Sequence, residues 1–495
     1  MDLVKAGTGS LTLSNANDYT GTTTVSGGIL QVANNAALGT SAGDTIIQNG
    51  GTLDVFGFQT SADHIYVAGT GKSGIGAIVN TRAEQQSAIR MLTLTADTFV
   101  SSDFRWDVRG AGGNGSLSGI FDLGGYTFTR VGTNRIAIVD SIATNAGNIV
   151  MVQGGMSLTR SRIEGPGYID VGTNFVWIEN SSTGIITKPL IFANGVLQCS
   201  GNDFLLHSFI TNVSDLTLDV STALTISNTI SGGGSLTKIG TSTVRLEALN
   251  SYAGDTTISA GTLTLGTNGT LGGGTAITMT AGSTFDVSSQ GGFTVASGKT
   301  MTAAGTVNGG LTVANGATLQ VGSSTNTGPL TVVNGNVSLG GDTLMKLDAA
   351  TKTNDVISTT NMISLGETLT VSVLSGSPAA GDSYKLFNAP IINGSFSSVN
   401  LPPLGPGQIW VNKLSVDGTL TVGELVLTTT MIPGGFLQFT WPMNLNNLVK
   451  LQAQTNTLDI GLSTNWADYP GGTFNGTIHV PNPAYPTVFF RLSTQ

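Results

Sequence analysis

Short segments with alternating apolar and polar residues recur along the chain. Each begins with glycine or a small residue and then places an apolar side chain at every second position. Examples are residues 27–32 (GGILQV), 50–55 (GGTLDV), 260–265 (AGTLTL) and 316–321 (GATLQV). Because successive side chains of a β-strand point to opposite sides, this pattern predicts strands with Leu and Val inside and Thr, Gln or Asp outside.

The spacing of these segments predicts a solenoid. Gly28 and Gly51 are 23 residues apart, and Gly261 and Gly282 are 21 residues apart. A step of roughly 20–25 residues is one coil of a stacked β-helix, and a single coil cannot bury its apolar side without neighbours. We therefore expect parallel strands that stack about 4.8 Å apart.

One thirty-residue segment occurs twice, at residues 3–32 and 236–265, with thirteen identical positions and no gap. An internal repeat of this kind indicates the architecture before any single residue does. We expect its shared residues to serve the geometry of the coil. They combine lysine, asparagine, tyrosine and glycine positions: Lys5/Lys238, Gly7/Gly240, Asn17/Asn250, Tyr19/Tyr252, Gly21/Gly254 and Gly28/Gly261.

The fold class predicted for the chain is all-β. Residues 1–425 are expected to form a right-handed parallel β-helix (β-solenoid), and residues 426–495 a small C-terminal β-sandwich. Eleven of the fourteen prolines follow residue 377, and proline is rare in central strands. The last 70 residues also contain short strand-like segments between Pro- and Asn-rich turns, as a small sandwich requires.

Helix signals are scarce. Residues 83–92 (AEQQSAIRML) are the one helix candidate. The alternative is a strand preceded by a turn, since the strand-like TLTADTFV follows directly.

Composition and charge narrow the function classes. Charged residues make up 10% of the chain, and the net charge is −9. An acidic balance argues against nucleic acid and against an anionic membrane surface as partners. No run of 18 apolar residues occurs, so no membrane-spanning segment is expected. Cys199 is the single cysteine, which excludes an intrachain disulfide and is expected to be a buried, inert thiol.

The duplicated segment resembles the autotransporter-associated β-strand repeat of bacterial passenger domains. That family has a Leu-x-Lys-x-Gly start, an Asn-x-Tyr-x-Gly centre and a Gly-x-Leu-x-Val end, and both copies follow it. The second copy departs only at Leu265, where the pattern has Val. Residues 126–139 (YTFTRVGTNRIAIV) resemble the start more weakly, with Arg130 in the place of the lysine. The resemblance implies a secreted or surface-exposed, adhesin-like β-helix and no defined catalytic residues.

The C-terminal segment has a resemblance of its own. LQAQTNTL at residues 451–458, STNWADYPG at 463–471 and PTVFFRL at 486–492 are similar to small C-terminal modules of large secreted proteins in Verrucomicrobia-like bacteria. An extracellular or cell-surface location follows as an expectation. No secretion signal precedes the first repeat, so we expect the natural protein to begin further upstream.

The charge-rich zone lies between the two copies. Eight of the ten arginines fall within residues 82–162. Its best candidate for a binding site is Arg105, Asp107 and Arg109, because strand alternation places these three on one face and Trp106 on the other. The simplest interpretation is a solvated, salt-bridged face over a core tryptophan. A contact to carbohydrate or to an anion is the more specific one.

No metal site or cofactor is predicted. The three histidines, His64, His207 and His479, are far apart and have no metal-ligand spacing. Tyr19 and Tyr252 occupy the same repeat position. We expect stacked structural aromatics there, and glycan stacking is the functional alternative.

Three functions remain open from the sequence. The first is a secreted or cell-surface, non-catalytic structural protein of adhesin type, with glycans or matrix components as partners. The second is a polysaccharide lyase or hydrolase with a site near residues 82–170. The third is a self-assembling extracellular fibre subunit, since the open ends of a solenoid carry unpaired strand edges.

Overall fold

The computed structural model of the protein describes residues 1–60, 63–111, 116–179, 184–434, 436–441, 449–456, 461–470, 477–481 and 488–494. These residues form 56 β-strands and two 3-10 helices, so the predicted all-β class is confirmed. They divide into two compact units. The first is Met1–Gly292 with Thr306–Gly309, and the second is Phe293–Gly305 with Gly310–Gln495.

Two short 3-10 helices, Lys72–Gly74 and Ser288–Gln290, interrupt the strands of the first unit. The strands up to residue 286 are, in chain order, β1 Leu3–Lys5, β2 Ser10–Leu13, β3 Thr23–Val25, β4 Gly28–Val32, β5 Thr45–Ile47, β6 Gly51–Asp54, β7 His64–Gly69, β8 Ile78–Val79, β9 Gln85–Ile89, β10 Met91–Ser101, β11 Trp106–Arg109, β12 Gly119–Asp122, β13 Thr127–Val131, β14 Ile136–Val139, β15 Ser141–Ala143, β16 Asn148–Met151, β17 Met156–Thr159, β18 Arg162–Ile163, β19 Ile169–Gly172, β20 Phe175–Glu179, β21 Ile185–Ile186, β22 Leu190–Phe192, β23 Gly195–Ser200, β24 Phe204–Leu206, β25 Ile210–Asn212, β26 Leu216–Val220, β27 Leu224–Ile226, β28 Ile230–Ser231, β29 Leu236–Ile239, β30 Thr243–Leu246, β31 Thr256–Ile258, β32 Thr262–Leu265 and β33 Ala276–Asp286.

The remaining strands follow after residue 291. They are β34 Gly292–Val295, β35 Thr300–Asn308, β36 Gly310–Val313, β37 Thr318–Val321, β38 Pro329–Val333, β39 Val337–Leu339, β40 Asp342–Asp348, β41 Thr353–Asn354, β42 Val356–Thr359, β43 Met362–Leu365, β44 Thr368–Val373, β45 Ser383–Lys385, β46 Phe387–Asn388, β47 Ile391–Gly394, β48 Ser398–Asn400, β49 Gln408–Lys413, β50 Thr419–Glu424, β51 Thr428–Ile432, β52 Phe436–Thr440, β53 Val449–Gln454, β54 Ala467–Asp468, β55 Thr477–Pro481 and β56 Phe489–Thr494.

The first unit is a parallel β-solenoid. Leu3 pairs in register with Thr23 in one sheet, and in a second sheet Leu216 pairs with Leu236 and Leu236 with Thr256. Each of these steps is about 20 residues, the length that the sequence spacing predicts for one coil. The predicted β-solenoid is therefore confirmed. Within this unit, the first sheet contains β1–β8, β10, β12, β13, β15, β16, β18, β19, β21, β22, β25 and β28, and the second contains β9, β11, β14, β17, β20, β23, β24, β26, β27 and β29–β33.

Inward side chains form apolar ladders through this stack. Leu30 lies in register with Leu53, and Ile149 with Ile169, and all four are fully buried. Complete burial of a Leu or Ile side chain contributes about 1.5–3 kcal/mol to folding. Each added coil therefore stabilises its neighbours through apolar contact, without any disulfide.

Gly28 shows why glycine recurs at the start of these strands. It pairs directly with Gly51 and has a φ of +72°, a conformation that disfavours other residues. A Cβ at Gly28 would lie 2.3 Å from the carbonyl oxygen of Gly9 and 2.6 Å from Nζ of Lys5. The turn therefore closes tightly around the lysine only because position 28 has no side chain.

The second unit combines parallel and antiparallel pairing. Parallel pairs link β37, β40, β44 and β48 in succession. Three antiparallel sheets complete the unit. In the first, β50 pairs with β45 and β49; in the second, β52 pairs with β51 and β55; in the third, β53 pairs with β54 and β56. Buried apolar residues of this region form one cluster, which begins before residue 426: Val411, Phe439, Trp441, Val449 and Leu451. The β-sandwich over residues 426–495 stays a prediction. The boundary between residues 425 and 426 stays a prediction.

The strand alternative holds for residues 83–92, and the helix alternative is wrong. Residues 85–89 are β9, and Met91 begins β10. Ile89 pairs with Val108, and Leu92 pairs with Ile65. Parallel pairing to neighbouring coils overrides the local helix propensity here. Among the described residues, no helix has the length and apolar character needed to cross a membrane.

Candidate functional site

The lysine of the repeat is a structural residue. Lys238 is fully buried at an inward position of β29. Its Nζ donates hydrogen bonds to the carbonyl oxygens of Ile239 at 2.7 Å, Gly240 at 2.9 Å and Ala260 at 3.1 Å. Burial lowers the pKa of Lys238 to about 8, against a smaller opposing influence of Asp219. The amine is engaged by the corner of the coil and is not available to a ligand.

Lys5 makes the same contacts in the first copy. Its Nζ donates to the carbonyl oxygens of Ala6 at 2.9 Å, Gly7 at 3.1 Å and Gly27 at 2.8 Å. In each copy the lysine reaches the following residue, the glycine two positions on, and a carbonyl 22 positions on. That last carbonyl belongs to the next coil, so the lysine joins two coils.

Arg130 performs this role in the weaker copy, as its alignment with the lysine predicts. It is fully buried, and its Nη1 donates to the carbonyl oxygens of Gly132, at 3.1 Å, and of Gln153. Its Nη2 donates to Oγ of Ser102 at 3.0 Å. Burial lowers the pKa of Arg130 to about 10. A longer cation thus takes the place of lysine and again joins the carbonyl two positions on to one in the next coil.

The tyrosines of the repeat are also structural. The hydroxyl groups of Tyr19 and Thr23 share a hydrogen bond of 2.7 Å, and those of Tyr252 and Thr256 share one of the same length. Tyr252 is fully buried, and this burial raises its pKa. The prediction that Tyr252 stacks on a glycan is therefore wrong, because its ring has no exposed face. Tyr19 is half-buried, and a ligand contact there stays a prediction.

The candidate triad Arg105, Asp107 and Arg109 is brought together as predicted, but it is not a solvated face. Nε and Nη2 of Arg105 donate to the two carboxylate oxygens of Asp107 at 2.8 Å each. Nη2 of Arg109 donates to Asp107 at 2.7 Å. Asp107 is fully buried, and Arg105 is only 8% exposed. Trp106 lies in the core on the other side of the strand, also as predicted.

The electrostatics of the triad are those of a closed ion-pair network. Burial raises the pKa of Asp107, while hydrogen bonds from Arg105 and Arg109 act in the opposite direction. Glu84 adds a fourth charge, with its Oε1 3.3 Å from Nη1 of Arg105. The carboxylate of Asp107 is fully engaged by arginines, so it does not serve as a general base for a bound substrate.

An open cleft of about 350 Å³ lies beside this network. It runs along the edge of the second sheet, where strands β9, β11, β14 and β20 begin. Its lining combines two guanidinium groups, one carboxylate, an aromatic ring and two polar residues: Glu84, Arg105, Thr133, Asn134, Arg135 and Phe175. Sequence reasoning placed the site at residues 105–109 and missed Phe175, which follows 70 residues later in another coil.

Arg135 connects the cleft to a second aromatic residue. Its guanidinium carbon lies 4.7 Å from the ring centroid of Trp177, and its Nη1 donates to Oγ of Ser157 at 3.2 Å. The indole Nε1 of Trp177 donates to Oγ of Ser200 at 2.7 Å. Burial, and then the nearby charge of Arg105, lower the pKa of Arg135. No carboxylate of a described residue lies within ion-pair distance of Arg135.

The remaining candidates have structural partners. Cys199 is a buried free thiol on β23, and burial raises its pKa. His64 Nε2 lies 2.8 Å from Oγ1 of Thr93, and His207 Nδ1 lies 3.3 Å from Oγ of Ser227. The side chain of His479 lies outside the described part of the chain. Within that part, no group of three His, Cys, Asp or Glu residues is arranged to hold a metal ion.

Comparisons with known proteins bear on the repeat. The model of the passenger-associated-transport-repeat matches residues 3–32 and 236–265. These are the two copies of the duplicated segment, so the resemblance to an autotransporter passenger repeat is confirmed at both.

Similar proteins are also found over longer stretches. The Adhesin BmaC autotransporter of Brucella suis biovar 1 (strain 1330) is 28% identical over 354 residues, covering 57% of this chain and 10% of that protein. The chain thus spans a tenth of the length of this curated relative. The crystal structure of the Haemophilus influenzae Hap adhesin aligns over 86% of this chain and 57% of that chain, with 13% identity and a TM-score of 0.31.

Proposed function

We propose that this chain is part of the passenger β-helix of an adhesin located outside the cell or on its surface. The observation that carries the proposal is the similarity over 354 residues to an autotransporter adhesin, together with the passenger repeats at both copies. Its partners are surface or matrix components, glycans among them. The role is binding, without catalysis.

The geometry supports binding along the outside of the solenoid. The shared residues of the repeat, Lys5, Lys238, Arg130 and Tyr252, are used inside the coils. Ligand contact is left to outward positions that recur at each coil, about 4.8 Å apart. Many weak contacts along such a surface add through multivalency, which suits attachment to polymers and to cell surfaces.

The enzyme alternative has less support in the described cleft. Glycoside cleavage uses a pair of carboxylates, and elimination needs a base that is free to take a proton. Glu84 is the one carboxylate among the described lining residues, and Asp107 is held by two arginines. We therefore expect no cleavage of pectins, alginates or sulfated glycans by the purified chain. Release of new oligosaccharide ends would contradict the non-catalytic proposal.

A bead-adhesion assay tests the adhesin function. Microspheres coated with the purified chain are counted on epithelial monolayers, matrix-coated wells and polysaccharide-coated wells under flow, beside microspheres coated with albumin. We expect several-fold higher retention on at least one surface, and competition by excess soluble chain. Retention equal to that of albumin on every surface would overturn the proposal.

A further inference from the structure

We propose that the cleft formed by Glu84, Arg105, Thr133, Asn134, Arg135 and Phe175 is a binding site for acidic polysaccharide, taking a carboxylate-bearing pyranose unit. The proposal rests on the adhesin function above, and it names the ligand class and the residues for that function. The shape of the cleft, its charge and its aromatic surface all favour such a ligand.

The shape of the cleft comes from side-chain size on stacked coils. Positions 84, 105, 135, 155 and 175 stack at the start of successive strands of the second sheet. The registers of Trp106 with Gln85 and Ile136, of Ile136 with Met156 and of Met156 with Val176 show this. Four steps of about 4.8 Å make this column roughly 20 Å long. Gly155 is the one member without a side chain, and Ala137 and Ser157 in the neighbouring column are small. The ring of Phe175 lies over Gly155 and the guanidinium of Arg135 reaches Ser157, so these two side chains form one wall of the open cleft.

The charge of the cleft favours an anion. Arg105 and Arg109 together balance Asp107 and Glu84 through the contacts that join them. Arg135 lies next to this balanced network and has its Nη1 on a serine hydroxyl instead of a carboxylate. The guanidinium of Arg135 therefore remains available to an anion, although the carboxylates of Glu179, Asp107 and Glu84 act on it at longer range. A guanidinium group pairs well with a planar carboxylate, because two parallel N–H groups match its two oxygens.

The aromatic surface favours a sugar ring over a simple ion. Phe175 is half-buried, and its ring lies over Gly155: a Cβ on Gly155 would be only 1.9 Å from Cζ of Phe175. The backbone covers one face of the ring, while Phe175 also lines the cleft. The guanidinium carbon of Arg135 lies 4.7 Å from the centroid of the Trp177 ring, and Arg135 and Phe175 both line the cleft. A flat apolar surface next to a fixed cation matches a pyranose with one carboxylate substituent.

The polar lining supplies partners for the sugar hydroxyl groups. Thr133 and Asn134 are exposed, and both line the cleft. Glu84 is also exposed, and its carboxylate accepts from Arg105 and from Nε2 of Gln86 while still facing solvent. Hydroxyl groups bind such donors and acceptors equally well. The carboxylate of the ligand is placed on Arg135, away from Glu84.

Binding of defined oligosaccharides to the purified chain tests the proposal. The probe is tetragalacturonate, with its methyl ester as the uncharged match and dextran sulfate as a polyanion without carboxylates. By calorimetry we expect tetragalacturonate to bind and its methyl ester to bind at least roughly tenfold more weakly. Arg135→Gln and Phe175→Ala should each weaken binding by roughly tenfold, the loss expected for one charged hydrogen bond or one good apolar contact. Arg135→Lys should weaken binding less than Arg135→Gln does, since lysine keeps the positive charge but lacks the planar pair of N–H donors.

Matched variants elsewhere in the first unit serve as controls. Arg245→Gln changes an arginine paired with Glu247, and Phe209→Ala changes a phenylalanine that is 55% exposed. Both should bind tetragalacturonate like the unmodified chain, and circular dichroism should show that all variants are folded.

Three results of the calorimetry would overturn the proposal. One is no binding of tetragalacturonate, another is binding unchanged by both Arg135→Gln and Phe175→Ala, and the third is equal binding of dextran sulfate that is insensitive to Phe175→Ala. Retention of coated beads that tetragalacturonate does not inhibit would refute this site and leave the adhesin function standing. Bead retention equal to that of albumin-coated beads on every surface would refute the adhesin function itself.

Discussion

The Nζ atom of Lys238 lies 3.1 Å from the carbonyl oxygen of Ala260, which belongs to the following coil of the solenoid. The same ammonium group also satisfies two carbonyls of its own corner. One buried cation thus closes a turn and joins it to the next one. Backbone carbonyls inside a protein need donors, and a lysine at an inward position supplies three at once.

We expect Lys238→Met to destabilise this part of the solenoid by about 1–3 kcal/mol. Methionine fills similar space but leaves the carbonyls of Ile239, Gly240 and Ala260 without their donor. Hydrogen exchange read by mass spectrometry should show faster exchange in peptides covering residues 236–265. Lys72→Met is the matched control, because Lys72 is half-exposed on a 3-10 helix. Equal protection in the two variants would show that the buried ammonium has no stabilising role.

Asp63 should make the stability of the first unit depend on pH. It is 1% exposed, and Oγ1 of Thr45 donates to its Oδ2 at 3.0 Å. Among the described residues no donor reaches Oδ1. Burial raises the pKa of Asp63 from 3.8 to about 7, with Thr45 acting in the opposite direction and Asp44 adding to the rise.

The direction of the effect follows from proton uptake. Between about pH 4 and pH 7 the folded chain holds a proton on Asp63 that the unfolded chain has released. The stabilising contribution is complete below pH 4 and disappears as the pH rises through 7. The urea midpoint of the unmodified chain should be higher at pH 5 than at pH 8. This difference should shrink in Asp63→Asn, because the amide does not titrate. An unchanged pH dependence in Asp63→Asn would assign the effect to other groups.

Glu84→Gln should strengthen binding of tetragalacturonate by a few-fold. The substitution removes the one negative charge among the described lining residues, while Arg105 keeps its two hydrogen bonds to Asp107. The gain should fall as salt is added, because the partners are partly exposed. Calorimetry at two salt concentrations measures it, with Glu247→Gln as the control. Weaker binding in Glu84→Gln would mean that the carboxylate contacts the sugar and that charge repulsion is minor.

Gly155→Ala should reduce tetragalacturonate binding without unfolding the chain. A new Cβ would collide with the ring of Phe175, which is a movable side chain, so the ring must leave the surface of the backbone. The cleft then loses its apolar wall. Isothermal titration should show several-fold weaker binding, and the thermal midpoint should change little. Gly155→Ala in the Phe175→Ala background is the control, because the second substitution should then have no further effect.

The sequence predicted the solenoid well because its evidence is repetitive. Alternation at 27–32 and 50–55 and the pairing of Gly28 with Gly51 follow from the same step of one coil. Each coil repeats the same strand and turn pattern, so many individually weak sequence patterns predict the same fold. For residues 83–92 the local sequence was misleading. Their composition suits a helix, and only pairing of Ile89 and Leu92 with neighbouring coils makes them strands.

The candidate site was only partly predictable, for a related reason. Arg105, Asp107 and Arg109 are close in sequence, and alternation alone places them on one face. Their burial depends on what covers that face, which no local pattern reports. Phe175 lines the cleft and Trp177 contacts Arg135, both from β20, at a distance in sequence that only the register determines.

By itself, the sequence determined the all-β class, the coil length and the structural use of the repeated lysine and glycine positions, because these depend on periodic spacing along one chain. The tertiary structure decided which outward positions stack into a column, and so brought Arg135 beside Trp177 and Phe175 over Gly155. Register across coils varies with each insertion of one or two residues, and a shift of one residue moves a side chain to the opposite face. For that reason the coil could be predicted from its own residues, whereas the surface made by several coils could not.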